Sequence, residues 1–336
     1  MQVGRWALVR RRFALVRETA ESGGIEGETS ARSGRAPSQR VDTGNKMVIV
    51  KLQGGLGNQL FQYAAGRAVA HRNDVPLKLD IGWFESNLQR KFRLDRFNIS
   101  ATIATHEEVA KSAGLAPART RQKVWGRLHR RLPYRWRSVI REPHYQFEPK
   151  SLLANGNSHL IGYWQSEKYF TDIEDILREE LTLKAAPDSD NEAALSRIHQ
   201  TESVSLHVRR QDYVSNPNQT HALCSPAYYH AATEKLTQEV RQPHFFVFSD
   251  DMEWARQRIR LECPVSYVTH NGGNREYEDL RLMSSCKHHI MANSTFSWWG
   301  AWLNPNAQKT VVAPRRWFND PRRDTRDLLP DAWIRV

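Results

Sequence analysis

Cysteine is scarce in this sequence, with three residues among 336: Cys224, Cys263 and Cys286. Their odd number argues against a disulfide framework, and no Cys-X-X-Cys or Cys/His spacing would close around zinc. The chain also lacks the apolar run of roughly 18 residues that a transmembrane helix requires, and five arginines interrupt residues 1–17. We therefore expect buried thiols, no membrane anchor and a cytoplasmic location.

Metal- and cofactor-binding signatures are missing as well. The glycine loop at residues 54–59 reads GGLGNQ, which is neither a P-loop nor the Gly-X-Gly-X-X-Gly of a dinucleotide site. The one Asp-X-Asp triplet, at residues 188–190, follows a proline in a polar linker and does not end an apolar strand. Mg²⁺ and Mn²⁺ need rigid oxygen ligands beside a phosphate, so we expect no metal ion and no other cofactor.

Positive charge, by contrast, is abundant. The formal net charge is +12, and residues 119–141 hold nine Lys or Arg residues and no acidic residue. Such an excess indicates an anionic partner, for which a nucleotide, a membrane surface and a nucleic acid are candidates. Trp125, Tyr134 and Trp136 are interleaved with this basic segment. The pattern fits a membrane-surface or anionic-substrate patch, and it equally fits a solvated helical face.

The chain is long enough for two α/β domains, and 40% hydrophobic with 26% charged residues is typical of a globular protein. Residues 1–46 carry no periodic apolar pattern, which predicts a disordered basic extension or a start codon assigned too early. At Met47 a strand pattern begins and leads through the glycine loop into an amphipathic helix. A polar stretch at residues 187–191 predicts the boundary between domains at 47–190 and 191–336.

Three short apolar runs in the second domain, at residues 204–208, 245–248 and 289–292, each precede polar turn residues and a helical pattern. This alternation predicts a doubly wound parallel sheet. Ligands of such sheets bind at the carboxyl ends of the strands. The residues that follow each run are therefore the candidate site residues.

The first run ends in His207, Arg209, Arg210 and Asp212. Strand alternation directs His207 and Arg209 to the same side. A guanidinium there can bind a diphosphate through charge-assisted hydrogen bonds and neutralise a leaving group without a metal ion. A structural Arg–Asp ion pair that involves Asp212 is the alternative interpretation.

Polar residues also follow the other two runs. Asp250 is a candidate acceptor for a base edge or ribose hydroxyls, or else part of a helix cap. Asn293, Ser294, Thr295 and Ser297 lead into an aromatic helix, where hydroxyls and backbone N–H groups can face a phosphate. The aromatic residues of that helix are predicted to be core.

The glycine loop is the fourth candidate. Gly55 and Gly57 would let the backbone approach a ligand closely, ahead of a helix that Asn58 is expected to begin.

Five segments resemble, in order along the chain, motifs of the bacterial α-1,2-fucosyltransferases, glycosyltransferase family 11. They are residues 54–63, 162–170, 207–213, 248–250 and 293–303, the last reading NSTFSWWGAWL. The resemblance implies a GT-B fold of two Rossmann-like doubly wound domains that face a cleft, with the acceptor bound by the first domain and GDP-fucose by the second. It further implies inverting transfer of L-fucose to the 2-hydroxyl of a galactoside. We expect this transfer to be metal-independent, with an oligosaccharide or a lipid-linked glycan as the acceptor.

The resemblance also assigns residues. His207, Arg209 and Arg210 match the HxRR donor motif, with Arg209 as the partner of the β-phosphate, while Asn58 lies on the loop that faces the cleft. Gln211 departs from the glycine usual in the family. We expect catalytic roles for Arg209, His207 and Asn58, and donor or substrate binding by Arg210, Asp212, Asp250, Asn293, Ser294, Thr295, Ser297, Gly55 and Gly57.

The sequence leaves alternatives for the general base and for the function. No spacing singles out a general base, and Asp80, Glu85 and His207 are the candidates. A GT-B enzyme with another nucleotide sugar or linkage is one alternative function, and a non-catalytic glycan- or polyanion-binding protein is another. We expect no nucleic-acid partner. A contact between the basic segment and the anionic inner face of the membrane is a further hypothesis.

Overall fold

The computed structural model describes residues 46–87, 89–112, 132–214 and 220–336, with Asp212 and Tyr213 described by their backbone alone. The predicted extension at 1–46, apart from Lys46, and the greater part of the basic segment lie outside these ranges. No helix in the described ranges is long and apolar enough to cross a bilayer.

The first half of the described chain contains a five-stranded sheet. Its strands are β1 Val48–Lys51, β2 Leu77–Asp80, β3 Thr102–Ile103, β4 Val139–Arg141 and β5 His159–Ile161. They pair in parallel in the order β3-β2-β1-β5-β4. The helices of this half are α1 Leu56–Arg72, α2 Gly82–Glu85, α3 His106–Ser112 and α4 Glu174–Glu180.

The second half contains a six-stranded sheet. Its strands are β6 Glu202–Val208, β7 Pro243–Ser249, β8 Val265–Tyr267, β9 His288–Ile290, β10 Val311–Ala313 and β11 Ile334–Arg335. They also pair in parallel, in the order β11-β10-β9-β6-β7-β8. The helices are α5 Ser189–Gln200, α6 Gln211–Val214, α7 Pro226–Glu239, α8 Met252–Arg258, α9 Glu276–Ser285 and α10 Thr295–Leu303.

Helices cover both faces of the second sheet. On one face Val204 and Leu206 of β6 share a core with Leu236 of α7, and on the other face Phe246 of β7 packs with Ile198 of α5. Strands buried on both faces read as continuous apolar runs, which is why β7 is rich in phenylalanine. The predicted α/β fold of GT-B type, with parallel-sheet domains, is confirmed. The boundary predicted between residues 190 and 191 falls in the first turn of α5 and stays a prediction.

Aromatic packing joins the two halves. The ring of Phe61 in α1 lies 4.5 Å from that of Trp298 and 5.1 Å from that of Trp299, both in α10, measured between centroids. Phe170 stacks on Trp299 at 5.5 Å. All four side chains are fully buried, so the prediction that the aromatic helix belongs to the core is confirmed. A large apolar contact of this kind restricts relative motion of the halves.

Candidate active site

A cleft of about 950 Å³ opens where the strands of both sheets end. Its walls include the loop after β1 and the residues that follow β6, β7 and β9. Among the predicted site residues, those that line it are Gly55, Gly57, Asn58, His207, Arg209, Asp250, Asn293, Ser294 and Thr295. The structure thus brings together motifs that are more than 200 residues apart in the chain, because carboxyl ends of parallel strands meet at one edge.

Arg209 and Asp250 follow neighbouring strands, since Val208 of β6 pairs with Ser249 of β7. The Nε atom of Arg209 lies 3.3 Å from Oδ2 of Asp250. Asp250 also accepts hydrogen bonds from the backbone N–H groups of Arg210, at 2.8 Å, and Gln211, at 3.2 Å. One carboxylate therefore orients the guanidinium and fixes the turn into α6, despite the glutamine at position 211.

The ion pair with Asp250 revises the interpretation of the first motif. An Arg–Asp pair was the alternative to a ligand site there, with Asp212 as the acid, but the side chain of Asp212 lies outside the described residues. Arg209 can both pair with Asp250 and line the cleft, because its side chain remains 24% exposed. Asp250 holds the guanidinium by one edge, so the pair positions Arg209 within the cleft.

Arg210 does not line the cleft. Its guanidinium carbon lies 4.0 Å from the centroid of the Trp254 ring, and its Nε lies 3.6 Å from Oδ2 of Asp251. Successive side chains at a strand end point to opposite sides, which explains why only Arg209 faces the cleft. Predicted donor contacts of Arg210 are therefore not supported by its position.

His207 is a buried, neutral residue of the cleft wall. Burial, together with the nearby charge of Arg209, lowers the pKa of His207 to about 3. Its ring lies 5.6 Å from that of Phe296, and its Nδ1 makes no hydrogen bond with any described residue. The imidazole is therefore an uncharged group at physiological pH, beside the permanent charge of Arg209.

The glycine loop packs against the second half of the chain. A Cβ atom added to Gly57 would lie 2.5 Å from both the backbone nitrogen of Phe296 and the carbonyl carbon of Thr295. Gly54 has φ +82°, a conformation that favours glycine. The helix begins at Leu56 with Gly55 as N-cap, and not at Asn58. The close approach expected of Gly57 is thus made to the N-terminus of α10.

Three residues at the start of α10 support the local backbone. Asn293 is fully buried, and its Nδ2 donates to the carbonyl oxygens of Ala222 and Trp317. Ser294 caps the helix, accepting from the N–H of Phe296 at 3.3 Å. Ser297 is buried outside the cleft lining, and its hydroxyl donates to backbone carbonyls. Of these, Ser297 has no geometry for the predicted donor contact.

Two of the cleft residues that were not singled out from the sequence bear directly on the chemistry of the cleft. Asp279, in the first turn of α9, lines the cleft, and burial raises its pKa to about 7 although Asn271 donates a hydrogen bond to it at 3.0 Å. Nothing in the local sequence distinguishes it from Glu276 and Glu278. Gln165 also lines the cleft. It lies in the segment 162–170 that resembles the family, and this was the one available signal.

The general-base candidates are separated by the structure. Only His207 lines the cleft. Glu85 is 62% exposed beside His106. Asp80 lies 3.5 Å from His159; burial opposes its ionisation, but the proximity of His159 and a hydrogen bond from the backbone N–H of Gly82 lower its pKa. Asp80 and Glu85 are therefore not placed to take a proton from a ligand in the cleft.

The Asp-X-Asp triplet at 188–190 is the start of a helix and not a linker. Asp188 caps α5, accepting a hydrogen bond from the N–H of Asn191 at 3.1 Å. That hydrogen bond, with Arg275 nearby, lowers the pKa of Asp188 to about 2. In the part of the chain that the structure describes, no group of three or more His, Cys, Asp or Glu side chains could hold a metal ion.

Known proteins similar to this chain agree with the motifs. The model of the family described as Glycosyl transferase family 11 matches residues 47–336. An alpha-1,2-colitosyltransferase of Escherichia coli is 35% identical over 298 residues, covering 86% of this chain and 99% of the relative. The O-antigen biosynthesis glycosyltransferase WbnK of Escherichia coli is 30% identical over 311 residues, with coverages of 85% and 99%.

A more distant relative is the galactoside alpha-(1,2)-fucosyltransferase 1 of Lagothrix lagotricha, 28% identical over 180 residues, covering 50% of this chain and 48% of the relative. Among solved structures, the fucosyltransferase NodZ from Bradyrhizobium superposes with a TM-score of 0.45 at 15% identity, covering 77% of this chain and 94% of NodZ. The family model matches from Met47 to the last residue, and the two Escherichia coli relatives are covered almost end to end, so the chain belongs to glycosyltransferase family 11.

Proposed function

We propose that this glycosyltransferase moves L-fucose from GDP-fucose to the 2-hydroxyl of a galactoside, with inversion and without a metal ion. The observation that carries the proposal is the Arg209 guanidinium, held by Asp250 at the edge of the cleft. A fixed guanidinium can neutralise the charge that develops on a departing diphosphate. A divalent ion would otherwise have to neutralise this charge.

The reaction is a single in-line displacement. The acceptor oxygen attacks the anomeric carbon as the bond between that carbon and the β-phosphate oxygen breaks, and the electron pair leaves with GDP. The hydroxyl proton passes to solvent or to neutral His207, the one base candidate that lines the cleft. A base this weak gives little assistance, so stabilisation of the leaving group by Arg209 dominates.

Asp279 is suited to recognise the guanine base. As a carboxylate it would accept hydrogen bonds from the N1–H and exocyclic amino groups of guanine, which present two donors side by side. It is held within the cleft wall by Asn271. Adenine, uracil and cytosine do not present that pair of donors to a single carboxylate, so this residue would select a guanosine nucleotide.

Within this proposal the identity of the donor sugar needs its own test, because one relative is a colitosyltransferase. Colitose lacks the 3-hydroxyl of L-fucose. A panel of GDP-fucose, GDP-colitose and GDP-mannose with β-galactoside acceptors, scored by released GDP and by linkage analysis of the product, tests it. We expect GDP-fucose to give the largest kcat/KM and an α-1,2 product. A larger value for GDP-colitose would keep the reaction and replace the donor.

Two further outcomes of the same assay concern the alternatives. Activity that persists after dialysis against EDTA supports metal independence, and a strict need for Mn²⁺ or Mg²⁺ contradicts it. A non-catalytic polyanion-binding protein would show no affinity for GDP and salt-sensitive binding to polyanions. Calorimetric titration with GDP distinguishes that protein from an enzyme whose acceptor was missing from the panel.

We also propose a contact with an anionic membrane, at the inner face where a lipid-linked acceptor would lie. Trp136 and Leu153 are 61% and 62% exposed. They lie on two mutually contacting short 3-10 helices, Tyr134–Trp136 and Pro149–Leu153. The guanidinium carbon of Arg135 is 5.2 Å from the centroid of the Trp136 ring. An exposed tryptophan with apolar and cationic neighbours suits a lipid headgroup region.

Sedimentation with phosphatidylcholine vesicles, with or without phosphatidylglycerol, tests this contact. We expect the protein to sediment with the anionic vesicles and the Trp136→Ala/Leu153→Ser variant to lose most of that binding. Ile103→Ala removes another exposed apolar side chain, 52% exposed in β3, and should retain it. Equal binding by the parent and the double variant would refute the location of the surface.

A further inference from the structure

The amide of Asn58 is held by residues from both halves of the chain. Its Oδ1 accepts a hydrogen bond from Nε2 of Gln165 at 2.9 Å and another from Oγ1 of Thr295 at 3.1 Å. Gln165 follows β5 of the first sheet, whereas Thr295 is the first residue of α10 in the second half. All three residues line the cleft.

Two donors on one oxygen determine which way the carboxamide faces. Gln165 Nε2 can only donate, so it could not be satisfied by the amide nitrogen of Asn58, which is itself a donor. The Thr295 hydroxyl can also accept, and it supports this orientation through the hydrogen bond that it donates. The Nδ2 atom makes no hydrogen bond with any residue in the described ranges. Nδ2 can occupy this position because residue 54 is glycine. A Cβ atom on Gly54 would lie only 2.6 Å from Nδ2.

Gln165 is buried in a way that packing does not explain. The residue is 8% exposed, and its Oε1 is buried with no hydrogen-bond partner among the described residues. An unsatisfied buried carbonyl costs about 1–3 kcal/mol. An apolar side chain of similar shape would avoid this cost. The donor Nε2, aimed at Asn58, is the feature that distinguishes glutamine from methionine at this position.

The backbone that carries Gln165 is fixed from behind. Glu142, immediately after β4, accepts hydrogen bonds from the N–H groups of Tyr163, at 2.6 Å, and Trp164, at 3.0 Å. Trp164 has φ +56°, in the left-handed region, which is an unfavourable conformation for a bulky residue. The turn that presents Gln165 to the cleft is therefore held in a conformation it would not adopt alone.

We infer that Gln165, together with Thr295, is a positioning residue that directs the Asn58 Nδ2 donor into the cleft to bind the reacting sugar. The inference rests on the proposed sugar transfer. Asn58 Nδ2 would donate to a hydroxyl or ring oxygen of the substrate, and Gln165 acts through Asn58. Correct placement of a donor to within a fraction of an ångström can change a rate by roughly 100-fold.

The first test compares activity with stability. Gln165→Met keeps the shape and removes the donor, so kcat should fall by about tenfold or more while the melting temperature is unchanged or higher. Gln62→Met is the matched control. Gln62 is also buried, but both ends of its amide are hydrogen-bonded, to Gln53 N and Gly162 O, so this variant should melt lower and retain kcat in the folded protein.

The second test is a double-mutant cycle of Gln165→Met with Asn58→Ala. If Gln165 acts through Asn58, its substitution should change kcat by less than about twofold once Asn58 is alanine. Thr295→Val should behave as Gln165→Met does, and Thr295→Ser, which keeps the hydroxyl, should restore activity. Independent, multiplicative losses would overturn the inference, as would a Gln165→Met variant that loses stability and activity together.

Failure of this inference differs from failure of the proposed function. A parent protein that binds no GDP and transfers no sugar refutes the proposed function. A parent protein that transfers fucose while the cycle shows no coupling refutes only the role of Gln165. GDP affinity measured by calorimetry for every variant separates the two, because the Asn58 amide is inferred to contact the sugar and not the nucleotide.

Discussion

Gly57 and Thr295 are in backbone contact across the two halves of the chain. A Cβ atom on Gly57 would lie 2.5 Å from the Thr295 carbonyl carbon and 2.6 Å from its Oγ1. The first atom belongs to a helix backbone and cannot rotate away as a side chain would. This contact sets the distance between the glycine loop and the N-terminus of α10, and hence the position of Asn58 in the cleft.

A larger residue at position 57 should therefore disturb the packing between the two halves and destabilise the fold. We expect Gly57→Ala to lower the free energy of unfolding by about 1–3 kcal/mol, as overpacking does in cores. Gly55→Ala is the control, since its Cβ would meet only Arg90 Nη1 at 3.8 Å, and it should cost less than about 1 kcal/mol. Urea unfolding measures both. Equal destabilisation would contradict the contact.

Removal of the Arg209 guanidinium should abolish most of the activity. We expect Arg209→Ala to lower kcat by about 100- to 1000-fold, equivalent to about 3–4 kcal/mol of transition-state stabilisation. Arg210→Ala should lose much less, because that guanidinium stacks on Trp254 outside the cleft lining. Circular dichroism checks that both variants fold. Near-parental turnover by Arg209→Ala would refute its role, and so would a larger loss at Arg210.

The proposed guanine contact makes GDP binding depend on pH. Burial raises the pKa of Asp279 to about 7, so the carboxylate that accepts from guanine forms as pH rises through this value. Between pH 6 and 8 the affinity for GDP should rise by up to about tenfold from this group. Calorimetric titration at both values measures the change.

The Asp279→Asn variant is the control for that measurement, because the terminal phosphate of GDP titrates over the same range. We expect the variant to bind GDP more weakly and to retain only the smaller pH dependence of the phosphate. It should also bind GDP and inosine diphosphate, which lacks the exocyclic amino group, with similar affinity. Identical pH profiles for parent and variant would exclude Asp279 from the nucleotide site.

His289 should make the protein sensitive to acid. Burial, and secondarily the charge of Lys309, lowers the pKa of His289 to about 3. The ring is buried between Ser205 Oγ, at 2.7 Å, and Asn304 Nδ2, at 2.8 Å. The unfolded chain binds a proton below its ordinary pKa of about 6.5 while the folded chain does not. This contribution to stability is therefore present above pH 6.5 and is lost as pH falls.

The effect is measurable as a difference between two proteins. Between pH 7.5 and 5.5 the parent should lose about 1.4 kcal/mol more unfolding free energy than His289→Leu. The parent alone is not diagnostic, because burial raises the pKa of Glu142 and Asp279 to about 7, and these groups act in the opposite direction. Urea titrations at both pH values suffice. A gap that does not change with pH would contradict a neutral buried imidazole.

Local sequence determined the elements and the chemical types at the site. The continuous apolar runs of β6 and β7 predict buried parallel strands. Such strands are covered on both faces, so apolar and polar residues do not alternate along them. Arg209 could be chosen over its neighbours because strand alternation sets it on the side of His207. The family resemblance then supplied the GT-B arrangement of the two domains and the identity of the donor, which composition and periodicity could not have identified.

Which partner each of these residues has was decided by the tertiary structure alone. Among the described side chains, Asp250 is the acid that holds Arg209, because strand register places it there. The glycine loop contacts α10, and Asn58 is oriented by Gln165 and Thr295, 107 and 237 residues away in the chain. Spacing along a chain specifies neighbours within a helix or strand, whereas contacts between strand ends depend on how two sheets pack. For that reason the sequence could predict the chemical types of the residues in the cleft but not the contacts between them.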